Sequence, residues 1–438
     1  MALRTTRRSL VRATGAGLAA LSAHAVAGPS VLRLPRREKL NVASIGVGGR
    51  GGGNTQGISG ENLVAICDVD LQRAAGARNK FPHARFFTDY RELLDEFGDR
   101  LDALAVSTPD HMHAPIAIAA MERGIHCYCE KPLTWSIEEA REMARLAREK
   151  SLVTQMGNQG TSAGGFRAGV EALRAGVIGP VREVHVWTNR PVWPQAVETP
   201  AEEVPVPNHL SWDLWLGCAA EREYHPSYLP FKWRGWYDFG TGALGDMACH
   251  TVNLPYMGLE LGAPTSAVAE TTELFADSYP AGAKVVFEFP ERGEKPAVTL
   301  NWYEGKVRPS AELMPGRDLP GSGCLIIGEA GRMFSADDYG SRQEIVLDDG
   351  SEPVTPEHSL PRSPGHHAEW IAAIRGEGPA PMSNFLHAGP FTEAVLVGDL
   401  AMRIGGRIEW DATEMRAKDR PEAGALIRRG YRDGFGIS

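Results

Sequence analysis

Residues 40–51 read Leu40-Asn41-Val42-Ala43-Ser44-Ile45-Gly46-Val47-Gly48-Gly49-Arg50-Gly51. A short apolar run, compact enough for a buried strand, stops at once in glycines. The pattern is G-x-G-x-x-G. The first glycine permits a tight turn, the second admits a pyrophosphate against the backbone, and the third lets a helix pack on the strand. Alone the fingerprint is weak, but Asp68 ends the next apolar run about 20 residues on, where an acid binds the adenosine ribose hydroxyls. Asp68, with Asp70 nearby, repels a 2′-phosphate and favours NAD, while Arg50 and Arg73 keep NADP open.

Outward from this stretch the chain alternates in the βα manner. Strands are expected at 63–67, 103–107, 126–129 and 152–156, and helices at 71–80, 90–97, 115–123 and 137–150. This predicts a parallel sheet with helices on both faces over 38–158. Beyond 158 the rhythm changes. A helix at 166–175 and a strand at 181–188 lead into a Pro- and Trp-rich stretch, 190–236, which reads as an ordered loop over a pocket because tryptophans are seldom left exposed. Strands at 265–274, 283–289, 297–303, 324–328, 332–335 and 344–347 suit an antiparallel sheet, with helices at 367–374 and 392–404. The expected fold class is therefore α/β: a Rossmann domain, then an α+β domain with an open, mainly antiparallel sheet over 159–404, and a C-terminal extension over 405–438.

The 438 residues suit two domains. A net charge of -9 disfavours a nucleic-acid binder. The first 27 residues hold Arg4, Arg7, Arg8 and Arg12 and no acid. The Arg7-Arg8 pair, a mild apolar run and small-x-small sites at Ala23-His24-Ala25 and Ala25-Val26-Ala27 resemble a twin-arginine signal peptide over 1–27. This makes the export machinery a partner and the location periplasmic or secreted. The run is too short for a membrane span. The six cysteines form no CxxC pair and read as core residues.

Three further motifs carry chemistry. Ser107-Thr108-Pro109-Asp110-His111-Met112-His113 follows a strand at the carboxyl edge of the sheet, where ligands bind. Its histidines suit cofactor contact, a cap or core position, or half of a metal site for which no third ligand is near. Glu130-Lys131-Pro132 ends another strand, and the proline keeps Lys131 extended. Its ammonium could bond a substrate hydroxyl, or form an ordinary surface pair with Glu130. Asp246 and His250, four apart, share one helix face as a structural contact or as a base with its carboxylate.

The glycine fingerprint, the Thr108-Pro109-x-x-x-His113 turn and Cys129-Glu130-Lys131-Pro132 together resemble the Gfo/Idh/MocA family (glucose-fructose oxidoreductase, inositol dehydrogenase, MocA) from about 40 to 404. The resemblance implies a Rossmann domain followed by a sheet domain that lines the substrate pocket and mediates homo-oligomers. It implies Lys131 as the substrate-contacting catalytic lysine, Pro109 and His113 lining the nicotinamide site, and a D-x-x-x-H pair at Asp246 and His250. Taken together, the candidates are Lys131, His250 and Asp246 for catalysis, with His250 the base and its pKa near neutrality. The cofactor set is Gly46, Gly48, Gly49, Arg50, Gly51, Asp68, Thr108, Pro109, His111, His113, Glu130 and Lys131. Trp193, Arg234 and Trp236 join Lys131, Asp246 and His250 as substrate contacts, the tryptophans by stacking on sugar faces or simply by packing. No metal is expected.

The function expected is NAD(P)-dependent hydride transfer between a sugar or glycoside hydroxyl carbon and a tightly bound nicotinamide, since an exported enzyme lies far from the free cofactor pool. A redox-neutral NAD-dependent glycosidase is the alternative, and a non-catalytic carbohydrate-binding protein on the same scaffold is the second.

Overall fold

The computed structural model describes residues 38–437. The expected signal peptide, 1–27, lies outside the described residues.

Six strands, β1 (Asn41–Ile45), β2 (Asn62–Cys67), β3 (Arg85–Phe87), β4 (Ala103–Val106), β5 (His126–Cys129) and β6 (Thr154–Met156), form a parallel sheet in the order 3-2-1-4-5-6. That order is the Rossmann arrangement. The middle strands are apolar throughout because helices cover both faces; all four residues of β4 are fully buried. β3 is not expected from the sequence, since three residues opening on Arg85 carry no alternation to read.

The helices start where the sequence supplies caps. Asp70 accepts from the Gln72 and Arg73 amides to begin Leu71–Lys80, and Ser136 with Glu139 forms a capping box for Ile137–Glu149.

A second sheet has nine strands: β7 (Val181–Trp187), β8 (Ser266–Thr271), β9 (Gly282–Phe289), β10 (Val298–Gly305), β11 (Gly323–Gly328), β12 (Gly331–Ser335), β13 (Glu344–Leu347), β14 (Gly406–Asp411) and β15 (Arg416–Lys418). Their order is 13-12-11-7-10-9-8-14-15, antiparallel except for the β7–β10 pair. Residues 405–438, expected as an extension, instead supply β14 and β15 at one edge. Ile408 and Trp410 turn inward on β14 while Arg407 and Glu409 face out, the alternation of a half-buried strand.

The chain also returns to its first domain. In helix His366–Ile374, Trp370, Ala373 and Ile374 join Val42, Leu63 and Tyr128 in one buried cluster. Helix Phe385–Ile404 runs longer than expected, with Pro390 inside its first two turns. It lies against Ile137–Glu149 at Gly389, where a Cβ would come within 3.0 Å of the Ala140 carbonyl oxygen. The Arg141–Glu393 ion pair, 2.6 Å, ties the two helices together. Among the described residues no helix is long and apolar enough to cross a membrane.

Candidate active site

The glycine loop is built as its sequence requires. Gly46 has φ 76°, and a Cβ there would stand 2.5 Å from the Ser107 carbonyl oxygen; one on Gly51 would stand 1.7 Å from the Gly46 oxygen. Helix Arg50–Ile58 begins at Gly49 with no side-chain cap, leaving its amino end to a ligand. A cleft with a cavity volume of about 120 Å³, lined by Gly46, Gly48, Asp68, Thr108 and Pro109 among others, opens above this cradle. Thr108 Oγ1 is buried there with no partner among the described residues. A cradle that a Cβ would fill and an orphaned hydroxyl fit the pyrophosphate and sugar of a dinucleotide.

Several expected cofactor residues turn out to brace this cradle. Asp68 lines the cleft, but its Oδ2 accepts from the Val47 and Gly48 amides (2.9 and 3.1 Å) and its Oδ1 from the Asp70 amide. Burial raises its carboxyl despite these bonds. Glu130 turns toward helix Arg50–Ile58, accepting from Arg50 Nε at 3.1 Å and Asn54 Nδ2 at 2.9 Å. Burial alone would raise its carboxyl; Arg50 and Lys131 bring it below the usual range instead.

His111 and His113 are corrections to the cofactor set. His111 is fully buried, its ring nitrogens 3.0 and 3.4 Å from the Trp215 and Phe239 carbonyls, and burial pushes it down to about 3. His113 lies with its nitrogens 2.8 and 2.9 Å from the Pro132 and Thr108 carbonyls. A side chain buried against backbone carbonyls cannot also face a ligand, so His113 holds the two strand-end loops in register and His111 anchors the aromatic segment.

Lys131, Asp246 and His250 are brought together. Lys131 Nζ donates to Asp246 Oδ1 at 2.5 Å and to its carbonyl at 3.0 Å. Arg234 Nε donates to the same Oδ1 at 2.9 Å. Burial would raise Asp246, but the two cations hold its carboxyl well below the usual carboxylate range. His250 lies one turn along helix Gly242–Thr251, its ring 4.9 Å from that of Tyr339. Its Nδ1 is buried without a partner among the described residues. Burial, then the Lys131 ammonium, push it down to about 3, not near neutrality as expected.

The aromatic residues divide. Trp236 is 1% exposed and donates to the Ser227 carbonyl, so it holds its own loop together instead of facing substrate. Trp193 is likewise buried, 5% exposed, its indole N–H donating to Gln195 Oε1 at 2.8 Å; it packs 5.8 Å from the Arg234 guanidinium and 5.7 Å from the Phe231 ring instead of facing substrate. Phe231 carries φ 68°, costly for an aromatic residue, and is 47% exposed where cleft and cation cluster meet.

Sequence reasoning passed over Asp110. It is 2% exposed and accepts from Thr241 Oγ1 at 2.8 Å; burial lifts it to about 7 despite Arg234 and Lys131. Only its place in a motif could have flagged it, because Thr241 comes from the other domain. His367 was also missed as a site-supporting residue; it stacks on Tyr128 at 5.0 Å and bonds Asn54 beneath the glycine loop.

The chain matches two sequence models of one oxidoreductase family: the NAD-binding Rossmann fold over residues 40–158 and the C-terminal alpha/beta domain over 181–278. It is 33% identical over 135 residues to a glycosyl hydrolase family 109 protein of Shewanella pealeana, covering 28% of this chain and 29% of that protein. It is 26% identical over 189 residues to levoglucosan dehydrogenase of Pseudarthrobacter phenanthrenivorans, covering 43% and 40%. These alignments span less than half the length of either relative. The structure resembles that of the WlbA dehydrogenase from Bordetella pertussis in complex with NADH and UDP-GlcNAcA, with a TM-score of 0.61 and 19% identity over 85% of this chain and 99% of that one. At that identity the likeness is one of fold. With the glycine cradle, the two-domain order and both sequence matches in agreement, the chain belongs to the Gfo/Idh/MocA family of NAD-binding oxidoreductases.

Proposed function

We propose that this protein transfers hydride between a hydroxyl-bearing carbon of a sugar or glycoside and a tightly held nicotinamide cofactor, NAD in preference to NADP. The observation that carries the reading is the buried Lys131–Asp246–Arg234 cluster with His250 beside it, at the same edge of the sheet as the glycine cradle that follows β1. Nicotinamide, when bound, supplies the hydride acceptor and returns the hydride in the reverse direction.

The chain's own residues manage the rest. Asp246 fixes the Lys131 ammonium, whose remaining N–H donates to the substrate hydroxyl oxygen and stabilises the negative charge that grows there. His250, proton-free across the neutral range, accepts the hydroxyl proton. Arg234 keeps Asp246 ionised, while the exposed Phe231 ring offers an apolar face to C–H surfaces of a sugar. The carboxylate of Asp68 in the cleft disfavours a 2′-phosphate.

A redox-neutral glycosidase is the second reading. It is favoured by the similarity to a glycosyl hydrolase family 109 protein. Export by the twin-arginine route completes the proposal. Replacing Arg7 and Arg8 by lysine should leave the protein in the cytoplasmic fraction; unchanged periplasmic yield refutes this part.

The deciding experiment purifies the protein without added cofactor, denatures it and assays the supernatant for NAD and NADP, with a panel of sugars and aryl glycosides tested for turnover. Stoichiometric NAD with sugar oxidation supports the proposal, and aryl release without added NAD supports the second reading. A protein that holds no nucleotide, binds none on addition and still binds sugar is a carbohydrate-binding scaffold.

A further inference from the structure

Two segments remote from the dinucleotide domain reach into its cleft. Trp215 comes from the aromatic stretch and Phe435 from the last described turn; both line the cavity that Gly46 and Asp68 line. Tyr90, after β3, and Ile116, in the helix after β4, share that wall. In a Rossmann sheet the pyrophosphate lies on the glycine loop and the adenosine half lies beside the acid ending β2. The wall made by Tyr90, Ile116, Trp215 and Phe435 is therefore on the adenosine side, away from Lys131.

The two segments are pinned in series. Residues 209–211 bridge to the loop after β2: the Leu71 amide donates to the His209 carbonyl and the Ser211 amide to the Val69 carbonyl, each at 2.9 Å. The His209 ring lies 3.0 Å from Asp70. The tail is held in turn by this stretch. Arg432 donates through Nε to the Gly217 carbonyl at 2.9 Å and through its terminal nitrogens to the Asp213 carboxylate and carbonyl at 2.7 and 2.6 Å. Arg91 donates to the Gly434 carbonyl at 3.1 Å and lies 4.3 Å over the Phe435 ring. Phe435 is left 5% exposed.

We propose that residues 209–217 and 432–435 form a clasp that closes over the adenosine half of the bound dinucleotide and governs how fast it leaves. The inference rests on the cofactor reading above and adds to it the residues that retain the cofactor. The rings of Tyr90, Trp215 and Phe435 in this lining suit adenine, which stacks on aromatic side chains. Release then requires the tail to come away, so the contacts of Arg432, which does not line the cleft, should control dissociation of a ligand it never touches.

The test compares full-length wild type, Phe435→Ala, Phe435→Leu and Arg432→Gln. Nucleotide content is measured after gel filtration, and release of NADH is followed by its fluorescence in a chase with excess ADP-ribose. Wild type should keep its nucleotide. Phe435→Ala and Arg432→Gln should lose it and release NADH at least tenfold faster, with Phe435→Leu closer to wild type. Far-UV circular dichroism with saturating NAD identifies any variant that fails to fold, and Arg432→Gln carries the test if Phe435→Ala does. Release at the wild-type rate from the folded variants overturns the clasp while leaving the cofactor reading intact. Failure of wild type to bind NAD or NADH at any concentration overturns both.

Discussion

Replacing Asp110 by Asn should stabilise this protein, and more strongly as pH rises. The carboxyl is buried against Thr241, and burial lifts its pKa from 3.8 to about 7 against the pull of Arg234 and Lys131. The sign follows from linkage. Between these two values the unfolded chain has lost the proton and the folded chain keeps it, so stability falls as pH rises through the interval and levels off above about 7. At about 1.4 kcal/mol per pH unit, the full interval corresponds to roughly 4 kcal/mol lost by pH 8, against under 2 kcal/mol at pH 5. Asn keeps an acceptor for the Thr241 hydroxyl and carries no charge, so it escapes this loss. Melting temperatures or urea midpoints for wild type and Asp110→Asn at pH 5 and pH 8 measure the difference. The variant's advantage should widen by about 2–3 kcal/mol between the two. An advantage equal at both pH values refutes the reasoning, because Asp110 would then be ionised in the fold already at pH 5.

The remaining outcomes concern the site. Lys131, expected among the cofactor residues, lies outside the cleft lining, so Lys131→Met should leave bound nucleotide unchanged and lower kcat by about 10²–10⁴-fold, the usual worth of a positioned proton-handling group; nucleotide content and turnover are read on one preparation. Gly51→Ala brings a methyl to within 1.7 Å of the Gly46 carbonyl oxygen, so nucleotide binding should fall below detection by titration calorimetry. Arg234→Ala leaves Asp246 with Lys131 alone. The KM for sugar should rise more than tenfold, and nucleotide content should hold, since Arg234 is outside the cleft lining.

The first domain was legible because its signals are local. The run into Gly46, the spacing to Asp68 and the proline after Lys131 each act within a few residues of where they stand. The Lys131–Asp246 pair was reachable by resemblance, for nothing in residues 131 or 246 alone sets them 2.5 Å apart. His111 and His113 were misread because a histidine at a strand end can equally face a ligand or a carbonyl, and the choice is made by Trp215, Phe239 and Pro132. Trp236 failed for a like reason: its indole N–H found the Ser227 carbonyl. β14 looked like an appendage because its partner, β8, lies more than 130 residues earlier.

The distance in sequence between Val42 and Trp370 orders events during synthesis. The sheet face formed by Val42, Leu63 and Tyr128, flanked by Ile58, Ala74 and Ala77 of its own helices, gains the rest of its cover from Trp370, Ala373 and Ile374 only after about 200 further residues have followed β6. At roughly 5–20 residues per second, that interval lasts on the order of 10–40 s. Throughout it the nascent first domain leaves part of that apolar face open, the kind of surface that chaperones shield and that aggregates when they do not. A fragment ending near residue 158 should therefore be poorly soluble even though all six of its strands are present, and cofactor loading belongs to the finished polypeptide.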